Sequence, residues 1–122
     1  MYHIIIADDT NSVRGLIARV VARTYAAVQI AAVADGRDAL TLFEREGADL
    51  IITNNEMVSM SGLQLITELR SRQATLPIIM ISGNTRIEQQ ARLAGASAFI
   101  PKPFSMVTLM QVLKLLLPPT TP

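Results

Sequence analysis

The sequence predicts an α/β domain in which five parallel strands alternate with five helices. Three observations carry that expectation. Short apolar runs, dense in isoleucine, stop abruptly at polar or turn residues, as buried strands do. Between them, apolar residues recur at the spacing of one helix face. With 122 residues, half of them hydrophobic, the chain can build one core but not two. Such an alternation implies a sheet covered by helices on both sides, joined by right-handed crossovers.

The elements follow in order. His3 to Ala7 is a first strand closed by Asp8-Asp9. Thr10-Asn11-Ser12 offers N-cap chemistry, and Val13, Leu16, Ile17, Val20 and Val21 recur at helical spacing. Val28 to Ala34 is a second strand ended by Asp35-Gly36, and Ala39, Leu40, Leu42 and Phe43 mark a helix halted near Gly47. Asp49 to Thr53 is the third strand, and its rim residue is Asn54. After a loop through Gly62, Leu63, Leu65, Ile66 and Leu69 form a helix ending at Ser71-Arg72-Gln73. Leu76 to Ile81 is a fourth strand, with Pro77 tolerable near its start. Ser82-Gly83-Asn84 then turns into a polar helix through Leu93 that Gly95 caps. Ala98-Phe99-Ile100 is a fifth strand, broken by Pro101-Lys102-Pro103, and Phe104 to Leu117 is the last helix. The domain is expected to span 1–117, with 118–122 a proline-rich tail or the start of a linker.

Composition narrows the function classes. A formal net charge of +1, with no basic run or aromatic-interleaved cluster, gives no reason to expect direct nucleic-acid binding. The absence of cysteine excludes disulfides, thiol catalysis and zinc–thiolate sites, and fits a reducing, cytoplasmic compartment. The apolar run at the N-terminus is too short for a signal peptide or a membrane span. His3, the lone histidine, reads as structural.

In a parallel sheet the strand ends share one edge, where ligands and chemistry sit. That edge collects Asp8 and Asp9 from the first strand, Asn54 from the third, Ser82 from the fourth and Lys102 from the fifth. Two adjacent carboxylates repel unless a cation or hydrogen bonds compensate, and Mg²⁺ held by one or two carboxylates, carbonyls and water is a natural partner. Lys102 is a point charge suited to a carboxylate or phosphate, and Ser82 could hydrogen-bond the same anion. Taken singly, each residue has a plain alternative: a solvated turn, a helix cap, an exposed lysine. The joint pattern points to a shared site.

At this point the whole chain resembles the receiver domain of two-component response regulators, similar to the single-domain chemotaxis regulator (CheY-like). The resemblance rests on Ile6-Ala7-Asp8-Asp9, Ala34-Asp35-Gly36, Met57 to Gly62, Ser82-Gly83, Gly95-Ala96 and Phe99-Ile100-Pro101-Lys102-Pro103-Phe104. It implies a flavodoxin-like doubly wound (βα)5 three-layer sandwich with strand order 2-1-3-4-5. It also implies that Asp8, Asp9 and the backbone carbonyl of Glu56 form a Mg²⁺ site, that Ser82 and Phe99 form a switch, and that Lys102 contacts the phosphoryl group. The family works as a signalling module in a phosphorelay, not as an enzyme.

The pattern breaks at its centre. The family's phosphoacceptor aspartate lies three residues before the methionine matched by Met57, and that position is Asn54. A carboxylate oxygen attacks phosphorus to form an acyl phosphate; a neutral amide is a poor nucleophile. Asn54 also removes a negative charge from the metal pocket. A pair of unit charges ~4 Å apart at an effective dielectric near 20 is worth about 4 kcal/mol, so a weakened Mg²⁺ site is expected. Val58 replaces a usual proline, and neither Thr53 nor Glu56 is placed to substitute as acceptor. Asn54 is expected to be native, giving an atypical receiver without aspartyl phosphorylation. The alternative is an ordinary response-regulator or hybrid-kinase receiver carrying an engineered Asp-to-Asn change. A flavodoxin-like nucleotide or flavin binder is disfavoured, because Asp8-Asp9-Thr10 stands where a glycine-rich phosphate loop would be.

Output must then come from a surface. In the last helix only Ser105, Thr108, Gln111 and Lys114 are polar between Phe104 and Leu117, leaving a wide apolar face. The expectation is contact with a histidine kinase, an output domain or another signalling protein, or a homodimer through helix four, strand five and helix five. Met106, Met110 or Leu117 would contribute, since Met adapts to varied partners.

Overall fold

The computed structural model describes residues 1–120. Its strands are β1 (Tyr2–Ala7), β2 (Val28–Val33), β3 (Leu50–Thr53), β4 (Ile78–Ser82) and β5 (Ala98–Pro101). The α-helices between and after them are α1 (Asn11–Thr24), α2 (Gly36–Glu46), α3 (Gly62–Ser71), α4 (Glu88–Ala94) and α5 (Met106–Leu116). All strand pairs are parallel and the sheet order is β2-β1-β3-β4-β5. This is the five-stranded doubly wound sandwich expected from the sequence.

Strand side chains alternate between two faces, and the isoleucine-rich runs serve both. Ile4, Ile6, Leu50, Ile52, Ile79, Ile81 and Ile100 pack with Ile17, Val20 and Val21 of α1 and Leu109 and Leu113 of α5. Ile5, Ala7, Ile51, Ile78, Met80 and Phe99 pack with Ala39 and Leu40 of α2, Leu65, Ile66 and Leu69 of α3, and Ala91 of α4. The central strands β3 and β4 are buried throughout, whereas the edge strand β2 leaves Gln29 and Ala32 exposed.

Several boundaries differ from the sequence reading, each for a local reason. The last helix starts at Met106 instead of Phe104, because the Ser105 hydroxyl oxygen accepts the Thr108 N–H at 3.0 Å and caps it. The polar helix after β4 opens with a 3-10 turn over Thr85–Ile87, so its α-helical part is short. Thr10 occupies the cap position of α1, but its side chain makes no capping bond. Ser82 belongs to β4 and Pro101 to β5. Of the proline-rich tail expected at 118–122, Thr121 and Pro122 lie outside the described residues.

The end of α5 is tied back to the start of the fold. The Tyr25 hydroxyl donates to the carbonyls of Leu117 at 2.8 Å and Leu113 at 3.2 Å, and the Tyr2 hydroxyl donates to the Pro118 carbonyl at 2.7 Å. The two rings meet edge to face with centroids 5.4 Å apart. Burial, with Tyr2 adding to it, pushes the Tyr25 phenol up to about 12.

Candidate functional site: the rim at the ends of the strands

The carboxyl ends of β1, β3 and β5 bring four of the expected residues into direct contact. The registers Ala7↔Thr53 and Ser82↔Pro101 bring neighbouring strands to one edge, so Asp8, Asn54, Ser82 and Lys102 arrive from distant sequence. Asn54 is tied to β1 by its backbone N–H, which donates to the Ala7 carbonyl at 2.9 Å. Its own carbonyl accepts the Thr53 hydroxyl at 2.7 Å. Gly62, at the first turn of α3, closes against the same peptide. A Cβ there would lie 2.2 Å from the Asn54 carbonyl oxygen, so only glycine lets α3 approach the rim this closely.

Asp8 is fully buried, and both its carboxylate oxygens are bonded. Oδ1 accepts the Thr10 N–H at 2.9 Å, and Oδ2 lies 3.3 Å from Lys102 Nζ in an ion pair. The Asp8 carbonyl accepts Arg14 Nη1 at 2.6 Å, while Arg14 Nη2 donates to Asn11 Oδ1. Lys102 Nζ also donates to Asn54 Oδ1 at 3.3 Å. On its other side, Asn54 Nδ2 donates to the Glu56 carbonyl at 3.1 Å and reaches Asp9 Oδ1 at 3.4 Å. The Glu56 side chain is exposed, and only its carbonyl takes part. The Lys102–Pro103 peptide is cis.

The remaining expected residues stand apart from this cluster. Ser82 is buried, but its hydroxyl oxygen accepts the Asn84 N–H at 3.0 Å, and its carbonyl accepts the Lys102 N–H at 2.9 Å. Phe99 is buried among the core residues on the α2–α3–α4 face. His3 is exposed; its N–H donates to Asp49 Oδ2 at 2.7 Å, which clips β1 to the start of β3. Two residues have roles at the rim that were not read from the sequence. Arg14 braces Asp8 from the first turn of α1. Asp35, the α2 cap, also accepts the Ser59 N–H at 2.8 Å and so tethers the β3–α3 loop. Asp35 was legible as a turn signal and as part of the Ala34-Asp35-Gly36 motif behind the resemblance, but not as a loop tether, and Arg14 carried no signal beyond its place on α1. Burial works against the Asp35 charge, but bonds from the N–H groups of Arg37, Ser59, Met60 and Val58 outweigh it and hold its carboxyl below the usual range.

The oxygens around the rim suit a hard cation in type, yet both Asp8 carboxylate oxygens, Asp9 Oδ1 and the Glu56 carbonyl are engaged by donors of the chain. Among the described residues no buried side-chain polar atom lacks a partner, and no group of three or more acidic, histidine or cysteine side chains could hold a metal ion. Among the described residues no helix is long and apolar enough to cross a membrane.

A parallel sheet in this order, with acidic residues and a lysine meeting at its carboxyl edge, has the CheY-like flavodoxin architecture. The chain belongs to the response regulator receiver domain family, whose model matches residues 4–114. It is 33% identical over 121 residues to the response regulator MprA of Mycolicibacterium vanbaalenii, covering 98% of this chain and 52% of that protein. It is also 33% identical over 106 residues to a protein-glutamate methylesterase/protein-glutamine glutaminase of Nitrobacter winogradskyi, covering 84% of this chain and 25% of that enzyme. The chain thus spans about half the length, or less, of these curated relatives. Among solved structures, the chemotaxis response regulator CheY4 of Vibrio cholerae superposes with a TM-score of 0.85 at 28% identity, covering 96% of this chain and 99% of that one. Receiver domains are signalling modules that interact with kinases and output domains, and they generally bind Mg²⁺ at the acidic pocket.

Proposed function

We propose that this receiver works through protein contacts without aspartyl phosphorylation, because Asn54 occupies the phosphoacceptor position. The observation that carries the reading is the place of the Asn54 side chain, between Lys102 on one side and Asp9 and the Glu56 carbonyl on the other. A phosphoacceptor there needs an anionic oxygen to attack phosphorus while the donor's leaving group departs. The amide oxygen carries no charge, and its lone pairs face Lys102. Asp8 and Asp9 are the side-chain oxygen donors left for a divalent ion, with the Glu56 carbonyl as the third, so Mg²⁺ binding is weakened relative to a site with three carboxylates. Ser82 and Phe99 keep the places of the family's switch pair, and Lys102 that of its phosphoryl contact. We take Asn54 as the native residue; its amide is matched on both sides by groups of the pocket.

The partner is a signalling protein, a histidine kinase or an output protein, and the surface suited to it is the one formed by α4, β5 and α5. Leu93 on α4 is 80% exposed, and Val107 and Leu115 on α5 are 64% and 79% exposed. The methionines favoured from the sequence are not the exposed groups: Met106, Met110 and Leu117 are half-buried against the α1–α5 core.

The test is phosphoryl uptake. Acetyl phosphate with Mg²⁺ should label Asn54→Asp and leave the unaltered protein unlabelled, read by intact mass. Acid-stable or acid-labile labelling of the unaltered protein within this pocket overturns the reading.

A further inference from the structure

The hydrogen-bond pattern around Asn54 leads beyond the loss of a nucleophile. The amide has one orientation that its neighbours permit. Lys102 offers only donors and must meet the amide oxygen; Asp9 and the Glu56 carbonyl offer only acceptors and must meet the amide nitrogen. The distances follow that assignment: 3.3 Å from Lys102 Nζ to Oδ1, 3.1 Å from Nδ2 to the Glu56 carbonyl and 3.4 Å from Nδ2 to Asp9 Oδ1. Two N–H hydrogens face two acceptors, and the buried amide is satisfied at both ends.

Resting on the reading that Asn54 stands at the phosphoacceptor position, we infer that its amide is a built-in plug that takes the place of the divalent cation. The NH₂ group bridges Asp9 and the Glu56 carbonyl, the oxygens a metal would otherwise draw together. Lys102 meanwhile neutralises Asp8 from the far side. A cation entering here must break the two N–H···O contacts and compete with Lys102 for Asp8, without gaining a third carboxylate. An aspartate at position 54 could make neither N–H contact and would leave Asp9 and the Glu56 carbonyl open to the ion. The plug therefore holds the rim in one state whether divalent cations are abundant or scarce. This is a stronger statement than charge loss, because charge alone treats every neutral residue at position 54 alike.

That difference supplies the test. The full chain, Asn54→Asp and Asn54→Ala are titrated with Mg²⁺, with binding read by calorimetry and by amide NMR. The unaltered protein is expected to bind most weakly and Asn54→Asp most tightly. Asn54→Ala, with no added charge but no plug, should bind about tenfold more tightly than the unaltered protein, the equivalent of about 1.4 kcal/mol. Equal affinity of Asn54→Ala and the unaltered protein overturns the plug, yet leaves the phosphorylation-independent reading standing. Mg²⁺ binding by the unaltered protein as tight as that of Asn54→Asp also overturns it. Should Asn54→Ala not fold, the unaltered protein decides: the Asn54 side-chain NH₂ resonances should shift together with Mg²⁺ binding, because the cation must displace them, and binding that leaves them unmoved overturns the plug. Phosphoryl uptake by the unaltered protein, measured separately, refutes the parent reading.

Discussion

At the scale of single residues the rim is a problem of buried charge. Asp8 is removed from water, and it is tolerated because Thr10 and Lys102 supply a donor to each carboxylate oxygen. Breaking such a pair from one side leaves an uncompensated charge, which costs more than the pair itself contributes. Lys102→Met is therefore expected to destabilise the fold by about 1–3 kcal/mol, at the low end of the range for buried pairs because the Lys102 side chain remains 24% exposed. Urea unfolding measures it; a change below a few tenths of a kcal/mol would mean that Thr10 and Arg14 hold Asp8 unaided. Arg70 does comparable work elsewhere, with no ion-pair partner among the described residues. Its guanidinium donates to the carbonyls of Ala74, Leu76 and Gly95, binding the end of α3 to the strands' opposite edge.

At the scale of elements, helix N-termini determine how the loops around the rim are held. α3 carries a reciprocal cap, in which Ser61 Oγ accepts the Gln64 N–H at 3.1 Å and Gln64 Oε1 accepts the Ser61 N–H at 2.9 Å. α2 is capped by Asp35, whose second carboxylate oxygen reaches the β3–α3 loop at Ser59. Asp35→Ala is expected to lower stability by about 1–2 kcal/mol, near the upper end for an N-cap because a loop tether is lost with the cap. The pH dependence follows from the direction of its shift. The folded carboxyl titrates below its ordinary value, so its contribution is present above the unfolded pKa and is lost as pH falls through the folded pKa. The stability gap between the two proteins should be full near neutrality and narrow in acid. A gap that widens in acid would contradict this, and thermal unfolding across that range measures it.

At the scale of the whole molecule, three exposed large apolar side chains lie on α4 and α5: Leu93, Val107 and Leu115. If Leu93, Val107 and Leu115 seat a second copy, the homodimer expected from the sequence, then Leu93→Glu with Leu115→Glu should keep the chain monomeric at concentrations where the unaltered protein self-associates. Light scattering reads this, and a strict monomer at high concentration in the unaltered protein excludes the homodimer. Val58, in the loop beyond Asn54, is 93% exposed as well.

The sequence alone was sufficient for the alternating strands and helices, because periodicity is local, while the strand order was implied by the resemblance to receiver domains. Isoleucine-rich runs such as Ile78–Ile81 and amphipathic stretches such as Val13–Val21 identify strands and helices from neighbours a few residues away. It was also sufficient to nominate Asp8, Asp9, Asn54, Ser82 and Lys102, since residues that follow strands in an alternating chain must share an edge. What tertiary structure decided was the pairing within that edge. Lys102 reaches Asp8 across 94 positions of sequence, and the hydroxyl of Ser82, nominated with them, bonds instead within its own turn. Likewise the apolar breadth of the last helix was plain, but which of its residues face water depended on the packing of α5 against α1 and the sheet. The orientation of the Asn54 amide belongs to the same class. It is set by donors and acceptors brought together from three strand ends, and no local pattern in the chain encodes their distances.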